Sequence, residues 1–407
     1  MSRTARVKKY TLINLIAAVL LTAVYSDNKV DSYNSTLLAF HYGYGLIPRG
    51  LLGSIYTLAD RILPWDLMNY RWVLIFSWGM TLLFYFVLSL FFYFVLRNCR
   101  EEYLREAEAA ILFLSIFVFS TFSGHNNFGR VDLELLFVSL IGVILIVRDR
   151  GTEFVPLLAA AGVLFHEGYV FMYANLILVM LFYRWMKAEG KKRFRWARIF
   201  IETLAVSAAL FAWFYWHARD GVGSDYVTEI LHNAMKLGCK NMYHPTLIDA
   251  EIFGYDLTLP EHVFHLENFV QMPIFLILFL PYLIPGALLC IRLLKGGKDL
   301  RSRLAYLAFA LGGATLLPNF LLKVDYGRWI LAAVCYYSIV LLAMLRIRDD
   351  EVGEVFCEIV TKIRSKGAFT LLLLVYPLIF VPLQDVYVTA WIKDLSDWLD
   401  QRWLHLY

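Results

Sequence analysis

Long apolar runs separated by short polar stretches dominate the chain, at about 11–26, 72–96, 109–122, 133–147, 154–165, 170–186, 199–217, 269–291, 304–322, 329–345 and 369–386. The runs are continuous rather than alternating, so they predict helices and exclude a spanning β-barrel. Several are shorter than the roughly 20 residues of a perpendicular span, notably Phe154–Phe165. A segment that short is expected inside a bundle, or ending where water enters.

The pattern predicts an all-α polytopic integral membrane protein of about eleven transmembrane helices, with 1–407 forming a single transmembrane domain. Placing Arg3, Arg6, Lys8 and Lys9 in the cytoplasm puts most of the 38 lysines and arginines on that side, including Lys187–Arg198 (KAEGKKRFRWAR). The amino terminus is therefore read as inside and the carboxyl terminus as outside. Two outer segments show helical amphipathicity. In the first outer loop, 27–71, Leu51, Ile55, Leu58 and Ile62 lie opposite Ser54, Thr57, Asp60 and Arg61; at 388–407, Ile392, Leu395, Leu399, Trp403 and Leu406 form a similar stripe. The loop 218–268 is also outside, read as a cover over a site or a solvated loop.

Composition agrees: 60% of residues are hydrophobic, 16% aromatic and 18% charged, too few charges for a water-facing surface. A net charge of +4 does not suggest a nucleic-acid partner; the bilayer is the expected environment. The five cysteines form no CxxC pair, and only Cys239 faces outward, so no outward intramolecular disulfide is expected. With no small-residue cleavage site after it, the first apolar run reads as a retained helix. Asn34-Ser35-Thr36 fits the glycosylation acceptor pattern and faces outward.

All nine histidines fall on the outer side of this topology, as do five polar constellations. Asp27 and Asp31, four residues apart after the first helix, could share a helical face as a general base or as ligands of a divalent cation; an ordinary solvated helix end is the plain alternative. In FHYGYGLIPRGLLGS (40–54), Arg49 sits among four glycines beside Tyr42 and Tyr44, a setting for phosphate or carboxylate; snorkelling of Arg49 to lipid headgroups is the alternative. SGHNNFGRVDLE (123–134) offers His125, Arg130, Asp132 and Glu134 at membrane depth, although Arg130 and Asp132 could merely pair with each other. HEGY places His166 and Glu167 after the shortest run, as a proton-sharing pair, a metal site or a buried polar lock. KVDYGRW brings Asp325 and Arg328, with Arg328 able to hold an anionic headgroup.

About eleven helices, acidic residues just after the first, an interfacial helix in the first outer loop and outward polar clusters together resemble the GT-C class of membrane glycosyltransferases. O-antigen polymerases and ligases look similar at this level. The resemblance implies a polyprenyl-phosphate-linked sugar donor and a glycan, lipid or protein acceptor. It implies a multi-pass plasma-membrane protein of cell-envelope polysaccharide biosynthesis, with its active face outward or periplasmic. An acidic residue of the first outer loop acts as base or metal ligand in that class, which falls on Asp27 or Asp31. Basic residues of outer loops hold the lipid phosphate, which suits Arg49 or Arg328. The strict acidic signature of the mannosyltransferase branch is missing here.

On this reading Asp27, Asp31, His166 and Glu167 are catalytic candidates. Tyr44, Arg49, His125, Arg130, Asp132, Asp325 and Arg328 bind substrate. A transporter or flippase of a lipid-linked or anionic substrate is the alternative; broken helices or two similar halves would favour it.

Overall fold

The computed structural model describes residues 3–25, 29–123, 128–217, 221–222, 224–253, 280, 283–322, 326–367 and 370–371. Asp27, His125, Asp325 and the amphipathic stretch 388–407 lie outside them. Among the described residues every regular element is a helix and no strand occurs. In chain order these are α1 (Arg3–Tyr25), α2 (Ser32–Leu37), α3 (Gly50–Ile62), α4 (Tyr70–Asn98), α5 (Leu104–Ser123), α6 (Val131–Arg148), α7 (Val155–Phe165), α8 (Tyr169–Met172) and α9 (Ala174–Lys187). They are followed by α10 (Gly190–His217), α11 (Val227–Leu237), α12 (Pro245–Phe253), α13 (283–296), α14 (Leu300–Gly312), α15 (Leu317–Leu322), α16 (Tyr326–Arg346) and α17 (Asp350–Ser365).

Among the described residues, four helices are long and apolar enough to cross a membrane: Thr4–Val24, Tyr70–Asn98, Gly190–His217 and Arg328–Arg346. The remaining expected runs coincide with shorter or interrupted helices, apart from 269–291, of which only 280 and 283–291 are described, and 369–386, which lies almost wholly outside the described residues. α4 shows why its bounds fall where they do. The Asn69 side chain accepts the Trp72 N–H as an N-cap, and 29 residues without proline or an acidic group follow. Two polar stretches read as connections are helical instead. The basic stretch after Lys187 is the first part of α10, and 350–365 is α17, capped by Asp349, whose side chain accepts the Val352 N–H. α17 buries Val352, Phe356, Ile359 and Val360 while its charges face out, a 3.6-residue stripe masked in the sequence by the charged residues set between those positions.

Two of the expected helices are interrupted. The run 170–186 divides at Tyr173 (φ −131°, ψ −14°), and 304–322 divides through a 3-10 turn at Gly313–Leu316. The two breaks meet. Asn175, buried at the start of α9, donates to the Gly312 carbonyl (2.9 Å) and to Thr315 Oγ1 (3.0 Å), and the Thr315 hydroxyl lies 3.0 Å from the Phe171 carbonyl. Carbonyls freed at a break in a dry interior need such partners. Gly312 permits the approach, since a Cβ there would fall 2.0 Å from the Tyr336 hydroxyl oxygen.

α6, α9 and α16 pack against one another; Asp132–Arg328 joins the starts of α6 and α16, and Arg184–Asp149 and Lys187–Asp349 join the end of α9 to the ends of α6 and α16, so the three run the same way. α7, only 11 residues long, returns between α6 and α10. At about 1.5 Å per residue it rises roughly 16 Å, about half a bilayer core. Its C-terminal end, carrying His166, therefore stops inside the bundle. The five cysteines are free.

Candidate functional site

The site forms where short α7 ends beside the N-terminal ends of α3, α6 and α16. Arg49 is the N-cap residue of α3 and adopts a left-handed conformation (φ 60°, ψ 9°), unusual for any residue but glycine. Its guanidinium is 7% exposed and grips Glu167, with Nε donating to Oε1 (3.2 Å) and Oε2 (3.1 Å) and Nη2 to Oε1. Nη1 also donates to the Tyr33 hydroxyl oxygen at 3.3 Å. The pair is bidentate, the strongest geometry available to a guanidinium and a carboxylate.

On the other side, Asp132 in the first turn of α6 is 3% exposed. It accepts from Arg328 Nη2 (2.7 Å) and Nε (3.3 Å), with Arg130 Nε 3.7 Å away. The expected Arg130–Asp132 pair is thus one half of a three-membered group, and α16 supplies the closer arginine. His166 lies between the two groups, where the charges of Glu167, Arg49, Arg328 and Asp132 all reach it.

The His166–Glu167 pair does not share a proton. His166 Nδ1 accepts the Gly168 N–H at 2.9 Å, so the proton of the neutral ring sits on Nε2. Burial pushes the His166 imidazole down to about 4; Glu167 opposes that shift and Arg49 and Arg328 reinforce it. Burial alone would raise the Glu167 carboxyl, but the Arg49 charge and its hydrogen bonds hold it well below the usual carboxylate range. At neutral pH the group contains a neutral imidazole donor, two carboxylates and three guanidiniums.

His41 repeats the device, its Nδ1 accepting the Gly43 N–H at 3.0 Å. Both histidines stand in a His-x-Gly triplet, HYG and HEG, a local signal in the sequence for this turn. Burial lowers His41 as well. Tyr44 is turned elsewhere: it stacks on His41 (4.0 Å between centroids) and donates to Glu229 of α11 at 3.2 Å. It belongs to a neighbouring contact and not to the Arg49 group.

Asp31 N-caps α2 through the Tyr33 N–H (3.0 Å), so its Oδ2 has a structural task. Tyr33, which nothing in the sequence singles out, links that cap to Arg49. The glycines around Arg49 admit the chain's own backbone and rings rather than a ligand. A Cβ at Gly53 would fall 2.0 Å from the Phe40 carbonyl oxygen, and one at Gly50 2.6 Å from the Tyr42 ring. The Asn34-Ser35-Thr36 acceptor pattern is buried in α2, with Thr36 Oγ1 accepting the His244 N–H at 3.0 Å. That bond docks the described part of the loop after α10 onto α2, and His244 meets the Tyr33 ring edge-on at 5.4 Å.

No three His, Cys, Asp or Glu side chains gather as a cation site among the described residues. Glu167 and Asp132 are each committed to an arginine, and an arginine-bound carboxylate is a poor cation ligand. Among the described residues the donor set does not fit a divalent ion, and Asp27, an expected ligand, lies outside them. Among the described residues Glu134, 3% exposed, has no partner for Oε2, and neither has the buried Tyr173 hydroxyl, whose neighbours include Asp132, Arg130 and Arg328. The apolar stripe of α3 behaves as its periodicity suggests: Ile55, Leu58 and Ile62 are exposed while Leu52 and Tyr56 are buried.

No family model, curated protein or solved structure matches this chain. The functional reading rests on the residues alone.

Proposed function

We propose that the chain is a membrane glycosyltransferase that moves a sugar from a polyprenyl-phosphate-linked donor to an acceptor at the outer face of the membrane. The eleven-span topology, with the amino terminus inside, belongs to this reading. The single observation that carries it is the convergence of Arg49–Glu167 and Arg130–Asp132–Arg328 around neutral His166 at one end of the bundle. The cluster gathers three guanidiniums, and guanidiniums suit phosphate oxygens. The His166 Nε2–H is a donor suited to a sugar hydroxyl or a phosphate oxygen.

In this scheme Arg328 and Arg49 hold the phosphate of the donor. Glu167 and Asp132 fix those guanidiniums in place instead of acting as bases. Asp31 or Asp27 takes the proton of the acceptor hydroxyl as that oxygen attacks the anomeric carbon. The bond from that carbon to the phosphate oxygen breaks, and the lipid phosphate leaves with the bonding electrons.

An apolar cavity of about 530 Å³ runs along α16 from Val334 to Leu341. It begins roughly 9 Å along the helix from Arg328, counted at about 1.5 Å per residue, where a prenyl chain could lie. Its other walls come from α5, α13 and α17.

The test is transfer of a radiolabelled sugar from polyprenyl phosphate by the full chain in proteoliposomes. Arg49→Ala and Arg328→Ala are expected to abolish transfer at normal protein levels. Full transfer by both variants overturns the reading. The meeting of two broken helices at Asn175 favours a second reading, a flippase for an anionic lipid-linked substrate. Movement of labelled lipid between leaflets without transfer of its sugar would select it.

A further inference from the structure

The three helices that bring the outer cluster together also gather arginines at their opposite ends. α6 is 18 residues long, so its ends are roughly 27 Å apart at about 1.5 Å per residue. Its last residue is Arg148; the last turn of α9 carries Arg184 and Lys187, and α16 ends on Arg346. Arg348 follows in a left-handed conformation (φ 62°).

A cavity of about 650 Å³ opens at this end, lined by Arg184, Lys187, Lys192, Arg348 and Trp196 together with several acids. Most of those acids are already taken. Asp349 accepts from Tyr183, from Lys187 Nζ at 3.0 Å and from the Val352 N–H at 3.1 Å. Asp350 pairs with Arg100, outside the cavity, and Glu351 accepts from the Tyr306 hydroxyl at 2.7 Å. Glu189 is the exception, exposed at the rim.

Of the four lining cations, Lys187 is taken by Asp349, whereas Arg348 and Lys192 make no ion pair among the described residues. Arg184 stacks on Trp196 (4.8 Å) and reaches Asp149 at 3.4 Å, yet its Nε is buried with no hydrogen-bond acceptor among the described residues. Arg346, which does not line the cavity, likewise has a buried Nε without an acceptor among the described residues, and Arg348, Arg148 and Arg184 add like charge around it. Arg348 Nε donates to a backbone oxygen, that of Asn98, at 3.0 Å. Helix C-termini favour cations, which accounts for one arginine on each helix. It does not account for the buried Arg184 and Arg346 Nε–H groups, which have no acceptor among the described residues, since such donors need one.

We propose that this cavity is a second, separate anion site that binds a phosphate group, supplied by a membrane lipid headgroup or by free phosphate. Guanidiniums held by an aromatic face and by backbone oxygens are preset in direction, so a phosphate oxygen entering between Arg184 and Arg348 meets donors already in place. The inference does not rest on the glycosyltransferase reading, because it uses none of the residues of the outer cluster.

The experiment is thermal unfolding of the full chain, followed by tryptophan fluorescence, in nanodiscs of phosphatidylcholine. These are compared with phosphatidylcholine nanodiscs containing phosphatidylglycerol, and with phosphatidylcholine nanodiscs titrated with inorganic phosphate. The wild-type chain is expected to melt higher with phosphatidylglycerol, with phosphate, or with both. Phosphatidylglycerol alone identifies a lipid headgroup, and phosphate the free ion.

The Arg184→Gln/Arg348→Gln chain should need roughly tenfold more ligand for the same shift, from the loss of charge-assisted hydrogen bonds. Arg97→Gln, at the same end but outside the cavity, should not. Should the double variant fail to fold, Lys192→Gln at the exposed rim is expected to give a smaller loss of the same sign. An unshifted wild-type chain overturns the proposal. So does a double variant that responds like wild type, or an Arg97→Gln chain that loses as much as the double variant.

Discussion

Arg49 and Glu167, 118 positions apart in the chain, form a bidentate ion pair in which the arginine is 7% exposed and holds a left-handed backbone. Three separate pieces of local structure meet in it: the N-terminus of α3, the end of the short α7, and Tyr33 in α2.

Removing one partner strands the other charge. Arg49→Ala and Glu167→Ala should each lower stability by about 3 kcal/mol, and the double variant should lose much less than the sum of the two. Denaturant unfolding of the four chains in detergent measures the coupling; strict additivity would mean that the pair is not formed. Arg49→Lys should restore charge but not the fork, recovering only part of the loss.

The His166 ring makes stability pH-dependent. It is held neutral in the folded chain, to about 4, while an unfolded histidine titrates near 6.5. Between those values the unfolded chain binds more protons, so stability falls as pH drops from roughly 6.5 to 4, on the order of 3 kcal/mol. Glu167, with a depressed carboxyl, keeps its contribution down to the ordinary carboxylate range and loses it only at lower pH. His166→Asn should flatten the slope between pH 6.5 and 4; an unchanged slope would assign it to other groups, His41 first among them.

The break in two helices depends on one amide. Asn175→Leu removes the buried amide that donates to the Gly312 carbonyl, leaving that oxygen only the exposed Thr315 hydroxyl, and should cost about 1–3 kcal/mol. Melting of this variant at unchanged helical circular dichroism would confirm that the loss is local. A melting temperature equal to wild type would show that another group satisfies the break.

Gly53 governs whether α3 can reach the site. A methyl group there meets the Phe40 carbonyl oxygen at 2.0 Å, a clash with backbone that a rotamer cannot relieve. Gly53→Ala should push α3 off the 38–42 segment and reduce folded yield, or leave a folded chain with no transfer. Gly45→Ala meets nothing within 4 Å but is strained by its φ of 113°, a smaller loss that appears in stability alone. A Gly53→Ala chain as active and as stable as wild type would contradict the packing.

Much was legible in one dimension because a bilayer-type interior writes itself as long apolar runs. The positions of α1, α4, α6, α7 and α16 followed from such runs, and the depth of His166 from the shortness of one of them. The charged segments that form the start of α10 and all of α17 read as connections, because amphipathic helices rich in charge lack that signature. Among the candidate residues, Arg49, Arg130, Asp132, His166, Glu167 and Arg328 were visible as polar groups in apolar surroundings.

Their pairing was not legible. Arg328 lies 196 positions from Asp132, and nothing local distinguishes it from Arg130 as the closer partner. Likewise the tautomer of His166 depends on a Gly168 N–H that only the folded turn points at it. Burial and spacing along one chain are properties of neighbours in sequence. Which charge answers which is a property of three-dimensional distance, and it was decided by the packing of α6, α9 and α16.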